Sequence, residues 1–400
     1  MLEAYIYDGL RTPFGRHAGA LAPVRPDDLL GGVIKALMAR SGFLADRIDD
    51  VQVGCTNQAG EDARNVARHA LLLAGLPIET PGVVHNRLCG SGLNALISAA
   101  HAVSCGEGDV MIVGGVESMS RAPFVMAKAE RAYSGDIRIF NSMIGARFPN
   151  PRIEREFGAD TMPETADNMA RDLQLSRADC DRFAYGSQAK FEAARARGFF
   201  EGEIGPIRIA QGKGKQDVVV SADEHPRPQT TLDDLARLRP LFEGGVTTAG
   251  NSSGINDGAA ALVVGSRGAG ERAGCKPIAR IVATAVAGVA PRIMGYGPVP
   301  AVRKALERAG LGLEVMDIIE INEAFAAQAL GCLKGLDVAF DDSRVNPNGG
   351  AIAVGHPLGA SGARLALTVA RQLQETGGRY AAVSMCIGVG QGIAVILERV

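Results

Sequence analysis

Two stretches of the chain, CGSGLNALISAAHAVSCGEGDVMIVGG at 89–115 and GASGARLALTVARQLQETGGRYAAVSM at 359–385, align without a gap at an offset of 270. Gly90 falls on Ala360, Ser91 on Ser361 and Gly92 on Gly362. The apolar helical positions then match, and DVMIVGG falls on RYAAVSM. Upstream, ALMARSGFLADRIDDVQVG (36–54) resembles ALERAGLGLEVMDIIEIN (305–322) at nearly the same offset. Each copy reads helix, strand, tight small-residue turn, helix, strand, and a repeat of this length marks a duplicated architecture. Such alternation predicts an α/β fold with helices covering a mostly parallel sheet.

The copies differ in one place. After IVGGVESMS the first wanders before GNSSGINDGAAALVVGS resumes as a strand, whereas the second passes from CIGVGQG almost directly into IAVILERV. The expected organisation is a first half at 1–120 plus 248–270, an inserted loop domain at 121–247, and a second half at 271–400. The insertion is rich in charge, proline and glycine (RFPNPRIEREFGAD, QGKGKQD, DEHPRPQTT) and holds amphipathic stretches such as TADNMARDLQLSRADCDRFAYGSQAKFEAAR. It is a candidate cap over a site that the two halves share.

Composition narrows the function classes. Four hundred residues exceed one simple core, so two or three structural units are expected. An apolar fraction of 46% with 51 glycines and no tryptophan describes a soluble protein packed through small residues. Net charge is −2, with the basic residues spread along the chain, which gives no electrostatic case for nucleic acid or an anionic membrane. No apolar run is expected to span a membrane, and MLEAYIYDGLRTPFG, with Glu3 and Asp8 in its most apolar part, does not read as a signal peptide. Seven scattered cysteines (Cys55, Cys89, Cys105, Cys180, Cys275, Cys332, Cys386) form no CxxC pair. They read as reduced thiols of a cytoplasmic enzyme, and zinc is not expected.

Cys89 opens a predicted helix on a turn of Gly90, Ser91 and Gly92. Free N–H groups and the helix dipole there favour an anion, so a stabilised thiolate is expected. Alone, the residue reads rather as a small side chain fitting a tight helix–strand crossing, since buried structural cysteines outnumber nucleophiles, and a nucleophile also needs a base. The second copy offers His356, three residues before Gly359, the position that matches Cys89. Packed about a pseudo-twofold, the equivalent turns would approach and His356 could reach Cys89, although a histidine before proline is often only a turn residue. Cys386 follows the matching strand in SMCIGVGQG, beside glycines whose N–H groups are free to form an anion hole. Two thiols and a histidine converging from duplicated halves suggest carbon–carbon bond chemistry on a thioester. Asn322 and Glu323, in EINEAFAAQA, end a strand that feeds a helix, where α/β proteins put functional polar groups. Asn322 also reads as an ordinary N-cap.

Taken together, NRLCGSG, NEAFA, NPNGGAIAVGHPLGASGAR, CIGVGQG, VGGVESMS and GNSSGINDGAA resemble the thiolase family, in the expected order over essentially the whole chain. The resemblance implies a five-layered α/β/α/β/α fold of two similar halves with an inserted loop domain. It implies Cys89 as the acyl-accepting nucleophile, His356 as its base, and Cys386 as the acid/base on the acetyl-CoA carbanion. His356 with a water held by Asn322 would form one oxyanion hole, and the N–H groups of Cys89 and Gly388 the other. Arg227 and Ser253 match positions that contact coenzyme A, near the nucleotide and the pantetheine respectively. Met162, Met294, Ala324 and Phe325 match walls of the acyl and pantetheine channel. Arg227 reads equally as a solvated charge, and the methionines equally as core filler. Coenzyme A is implied as a substrate, with no bound cofactor or metal, in a homodimer or homotetramer.

Ser252 stands where family members often carry alanine. The long loop from SRAPFVMAKAER to ETADN, with NQAGEDARNVARHALLLAGLP, resembles the 3-oxoadipyl-CoA thiolases of aromatic degradation more than the shorter loop of biosynthetic acetoacetyl-CoA thiolases. A dicarboxylic acyl chain would want a cation at its tail, for which Arg147, Arg152 and Arg155 are candidates; all three could instead pair with Glu154 and Glu156. The alternatives are an acetoacetyl-CoA or fatty-acid 3-ketoacyl-CoA thiolase, and a non-catalytic lipid carrier of this fold. A decarboxylating ketoacyl synthase would show a second histidine at Asn322 and no thiol at Cys386. A nicotinamide enzyme would want GxGxxG after the first strand, which GVGQG does not supply.

Overall fold

The computed structural model describes residues 2–135 and 137–400. Its main sheet runs, in hydrogen-bonded order, through Ile318–Ile321, Tyr380–Ile387, Gln391–Glu398, Ala279–Gly288, Ala4–Arg11, Asn256–Gly265, Val110–Ser118, Asp50–Gly54 and Gly82–His85. The two copies occupy the two ends of this path. In the first, Asp50–Gly54 lies parallel to both Gly82–His85 and Val110–Ser118. In the second, Ile318–Ile321 lies parallel to Tyr380–Ile387, and an isolated bridge from Ile319 to Val345 stands where the first copy has Gly82–His85.

The other neighbours on the path are antiparallel, so the expectation of a mostly parallel sheet is corrected to a mixed one. The reason is the turn at 388–390, where Val389 (φ 65°) and Gly390 (φ 80°) are left-handed. A connection that short can only return the chain antiparallel. The first copy keeps the same geometry: Ser118 pairs with Asp257 and Val110 with Gly265. Residues 119–255 therefore leave and rejoin the sheet between hydrogen-bonded neighbours.

Two helices, Ser91–Cys105 and Leu358–Thr376, lie at the centre. Their apolar side chains share one cluster with the inner faces of both halves. Pro26–Ser41 and Val66–Ala74 cover the outside of the first half, and Pro298–Ala309 and Ala326–Gly335 the outside of the second. These are the five layers. Leu88–Cys105 is, against the sequence expectation, long and apolar enough by composition to cross a membrane. That composition suits a helix with more than half of its residues buried inside the molecule.

Glycine makes the central crossing possible. A Cβ on Gly115 would stand 1.8 Å from the Gly359 carbonyl oxygen, one on Gly92 2.4 Å from the same oxygen, and one on Gly362 2.1 Å from Leu93 N. The insertion is clamped to the sheet by a buried ion cluster: Arg11 Nε donates to Glu203 Oε1 (2.5 Å) and its terminal nitrogens to Asp223 (2.6 and 2.8 Å). Both faces of the clamp are dry, so each charge depends on its partner.

Because backbone on both sides lines the crossing, Gly115→Ala is expected to cost about 3 kcal/mol or more. Gly32→Ala, with nothing within 4 Å of the new methyl in an exposed helix position, should instead stabilise by up to about 1 kcal/mol. Thermal denaturation of the two variants checks both signs.

Candidate active site

Cys89 sits in the loop from Gly82–His85 into Ser91–Cys105. Leu88, just before it, is held at φ 45°, a left-handed conformation that a leucine adopts only under constraint. The constraint is visible: Ser91 Oγ donates to Leu88 O (2.6 Å) and accepts from Arg87 N (2.9 Å), while Asn86 Oδ1 accepts from Leu88 N (3.0 Å). Arg87 Nε donates to Asn94 Oδ1 (2.7 Å), and its Nη1 reaches Gln391 Oε1 in the second half (3.3 Å). The half-buried Cys89 thiol receives backbone N–H groups from Gly388 and from Cys89 itself.

The expected resting thiolate is not what this environment favours. Burial pushes the Cys89 thiol up to about 11, and the two N–H donors only partly oppose it. The sequence shows a helix start but not how dry it is, and desolvation wins.

His356 is buried, and burial together with the nearby Arg364 charge pushes its imidazole down to about 3. Its Nδ1 lies 2.6 Å from Ser361 Oγ, which itself donates to Pro357 O (2.9 Å). Ser361 therefore accepts from Nδ1–H, and this network assigns the lone pair to Nε2. Asn322 Nδ2 lies 3.4 Å from that Nε2. The site thus holds a neutral thiol and a neutral base with its tautomer chosen.

Asn322 is not the N-cap its position suggested: the next helix, Ala326–Gly335, opens after Phe325 with no side-chain cap. Its backbone N–H is bonded to Ser384 O (2.9 Å), while its buried Oδ1 has no protein partner. A buried acceptor of this kind is open to a water or a ligand atom. Glu323 holds this loop, its buried carboxylate accepting from Ser187 Oγ (2.6 Å), Asn346 Nδ2 (2.8 Å) and Ile352 N (3.1 Å). Cys386 is buried on Tyr380–Ile387, and burial plus the neighbouring Cys89 and Cys332 thiols raise it well above the usual thiol range.

Side chains of Leu88 and Met162 flank Gly388. Met294, Ala324, Phe325 and Cys386 share one apolar cluster, and Met162 packs against it. Ser253 N donates to Ala324 O (2.9 Å), and Ser252 bridges Phe325. The His225 ring, pushed down to about 4 by burial, abuts Gly254. This brings the chain of Arg227 beside Ser253; Arg227 itself is exposed, its N–H bonded to Gln188 Oε1 (2.9 Å). Arg147 is half-buried and donates to Ser142 O (2.6 Å). Arg152 and Arg155 are exposed on Pro151–Phe157, and among the described residues none of the three arginines forms an ion pair with Glu154 or Glu156. Ser361 and Asn256, whose Oδ1 accepts from His356 N (2.9 Å), were not singled out from sequence. Ser361 could have been, since it aligns with Ser91.

A thiol under two N–H donors, an oriented neutral imidazole and a second thiol on the opposing strand end are the parts of a candidate acyltransferase site. Residues 4–268 match the thiolase N-terminal domain and residues 275–399 the thiolase C-terminal domain. The chain belongs to the thiolase family. It is 57% identical over 404 residues to the 3-oxoadipyl-CoA/3-oxo-5,6-dehydrosuberyl-CoA thiolase of Escherichia coli K12, covering 100% of both chains. It is 54% identical to a beta-ketoadipyl-CoA thiolase of Acinetobacter baylyi, again covering 100% of both. The crystal structure of human mitochondrial 3-ketoacyl-CoA thiolase in complex with CoA superposes with a TM-score of 0.91 at 39% identity, covering 100% of this chain and 98% of that one.

Alkylation of Cys89 by iodoacetamide without substrate is expected to rise about tenfold per pH unit, with no plateau below about pH 11. A plateau at pH 8 or below would show a resting thiolate instead. Ser361→Ala frees the imidazole to take the wrong tautomer; kcat should fall about tenfold with KM for CoA little changed, as steady-state thiolysis would show.

Proposed function

We propose that this thiolase cleaves 3-oxoadipyl-CoA with coenzyme A, giving acetyl-CoA and succinyl-CoA, in the degradation of aromatic compounds. The observation that carries this reading is end-to-end identity of 54–57% to several beta-ketoadipyl-CoA thiolases. In this reading Cys89 Sγ attacks the 3-oxo carbon as His356 Nε2 takes the thiol proton. The oxyanion is met by the N–H groups of Cys89 and Gly388, a type of contact contributing roughly 3 kcal/mol per donor. The C2–C3 bond then breaks, leaving succinyl on Cys89. The acetyl-CoA enolate forms against protonated His356 and a water on Asn322, and takes its proton at carbon from the Cys386 thiol. The Cys386 thiolate next accepts the proton of incoming coenzyme A, whose sulfur takes the succinyl group from Cys89, and the departing Cys89 thiolate recovers its proton from His356.

Several features support this assignment of roles. A neutral thiol and a neutral base pass one proton between them without burying net charge, which suits a dry site. The unpartnered Oδ1 of Asn322 suits a water ligand. Arg227 and Ser253 would contact coenzyme A, with Met162, Met294, Ala324 and Phe325 lining its channel. Arg147, Arg152 and Arg155, which form no ion pair with an acidic residue among the described residues, are the cations offered to the distal carboxylate. We read coenzyme A as a substrate, with no resident cofactor or metal, in a cytoplasmic homodimer or homotetramer. Exposed Phe124, Met126, Ile139, Ile144 and Phe148 in the insertion support assembly, since so much apolar surface in one segment invites a partner.

The deciding measurement is thiolysis of 3-oxoadipyl-CoA, acetoacetyl-CoA and a medium straight-chain 3-oxoacyl-CoA, followed as loss of the enolate. A kcat/KM at least about tenfold higher for the dicarboxylate is expected, the equivalent of one favourable charged contact. Preference for a neutral chain would move the enzyme to fatty-acid or acetoacetyl-CoA metabolism. No turnover at all, with Cys89 unlabelled by substrate, would point to the carrier.

A further inference from the structure

A duplicated chain builds two dyad-related places where a strand end meets a helix start. At one, the end of Tyr380–Ile387 meets the Cys89 turn, and Gly388 N–H points at the thiol. At the other, the end of Val110–Ser118 meets Gly359, the counterpart of Cys89. There the group facing the helix start is the Glu117 carboxylate. Its Oε1 accepts from Asn57 N (2.9 Å), and its Oε2 from Thr56 N (3.1 Å) and Gly359 N (2.9 Å). Thr56 and Asn57 belong to the loop after Asp50–Gly54, the counterpart of the Asn322 loop.

The fold itself does not ask for a carboxylate here. The matching position of the second copy is Ile387, and burying an ionisable group costs free energy that an apolar side chain avoids. Glu117 is fully buried, and burial lifts its carboxyl to about 7 against the pull of its three N–H donors. Cys55 and Asp62 come close, within 4.8 Å, and Asp62 is raised by burial as well. Both are already engaged within their own loop, Cys55 Sγ with Asn57 O (3.2 Å) and Asp62 Oδ1 with Gly60 N (3.1 Å). Only Glu117 reaches across to the other half.

What it grips there is the segment that carries the base. Gly359 lies in the first turn of Leu358–Thr376, three residues after His356, where the N–H groups have no intrahelical partner. A carboxylate on those groups is a cap supplied from the opposite half, and it also benefits from the helix dipole. We propose that Glu117 is a positioning residue for His356: it occupies the dyad-related counterpart of the catalytic site and, through Gly359 N, fixes the His356 segment of one half against the Cys89 half. The proposal rests on His356 and Cys89 being base and nucleophile.

The test is thiolysis by Glu117→Gln and Glu117→Ala, with kcat expressed per active site titrated by the acetyl-CoA released when Cys89 is acylated by 3-oxoadipyl-CoA without added CoA, so that unfolded enzyme is not counted. In Glu117→Gln an amide N–H₂ replaces one acceptor against donors, while shape is kept. On this account kcat per titrated site falls about tenfold in Glu117→Gln and on the order of 100-fold in Glu117→Ala, with KM for CoA unchanged, as a misplaced base demands. If either folded variant keeps at least half of kcat per site while its melting temperature drops, Glu117 is only a brace and the proposal fails. If Glu117→Ala does not fold, Glu117→Gln decides. A control separates the two levels: turnover surviving in Cys89→Ser overturns the nucleophile and this proposal together. An inactive Cys89→Ser beside fully active Glu117 variants overturns this proposal alone.

Discussion

Everything at the centre of this molecule depends on two helix starts crossing at backbone contact. Gly92 and Gly115 approach the carbonyl of Gly359, and Gly362 approaches Leu93 N, at separations that leave no room for a side chain. Because the crossing is that close, the residues just before the two helices, Cys89 and His356, belong to one site although they come from opposite halves. The strand ends follow from the same contact: once the helices lie between the sheets, the 386–388 and 322–325 turns close over the Cys89 end, and the 117–118 and 54–57 turns over the other.

Tight packing also decides the electrostatics. A dry site penalises thiolate and imidazolium alike, so Cys89 is driven up and His356 down until neither is charged at rest. Charge then appears only during reaction, where prearranged donors can meet it, and such donors matter most when water is absent. Ser361 belongs to this arrangement. A neutral imidazole has two tautomers, and the Ser361 contact selects the one with Nε2 unprotonated.

Much of this was legible in the sequence because duplication writes the same pattern twice. The gapless match of 89–115 with 359–385 carried the paired central helices, whose starts cross at Gly92 and Gly359, and the nearness of Cys89 to Cys386. What failed to read did so for identifiable reasons. Strand direction is invisible to apolar periodicity, so the antiparallel neighbours became apparent only through the turn at Val389 and Gly390. A helix start advertises anion stabilisation, while the desolvation that outweighs it at Cys89 is a property of the whole surround. Asn322 looked like a cap because position in a strand–helix link suggests one, yet the helix begins after Phe325. Ser361 and Glu117 sat inside quoted motifs, but their partners are set by long-range packing.

Duplication raises a question that symmetry alone cannot answer: why one of two equivalent junctions holds chemistry and the other does not. A pseudo-twofold offers each helix start the same free N–H groups. At the Cys89 start they face a half-buried thiol. At the Gly359 start a nucleophile is impossible, because glycine is demanded by the carbonyls of Val116 and Gly54, from which a Cβ there would lie 2.4 and 2.6 Å. The groups left over still need an acceptor, since orphaned donors in a dry interior are costly. A carboxylate answers three of them at once, those of Thr56, Asn57 and Gly359. The same packing that leaves a thiol at one junction therefore sets a carboxylate at the other, and that copy becomes a tie between the halves.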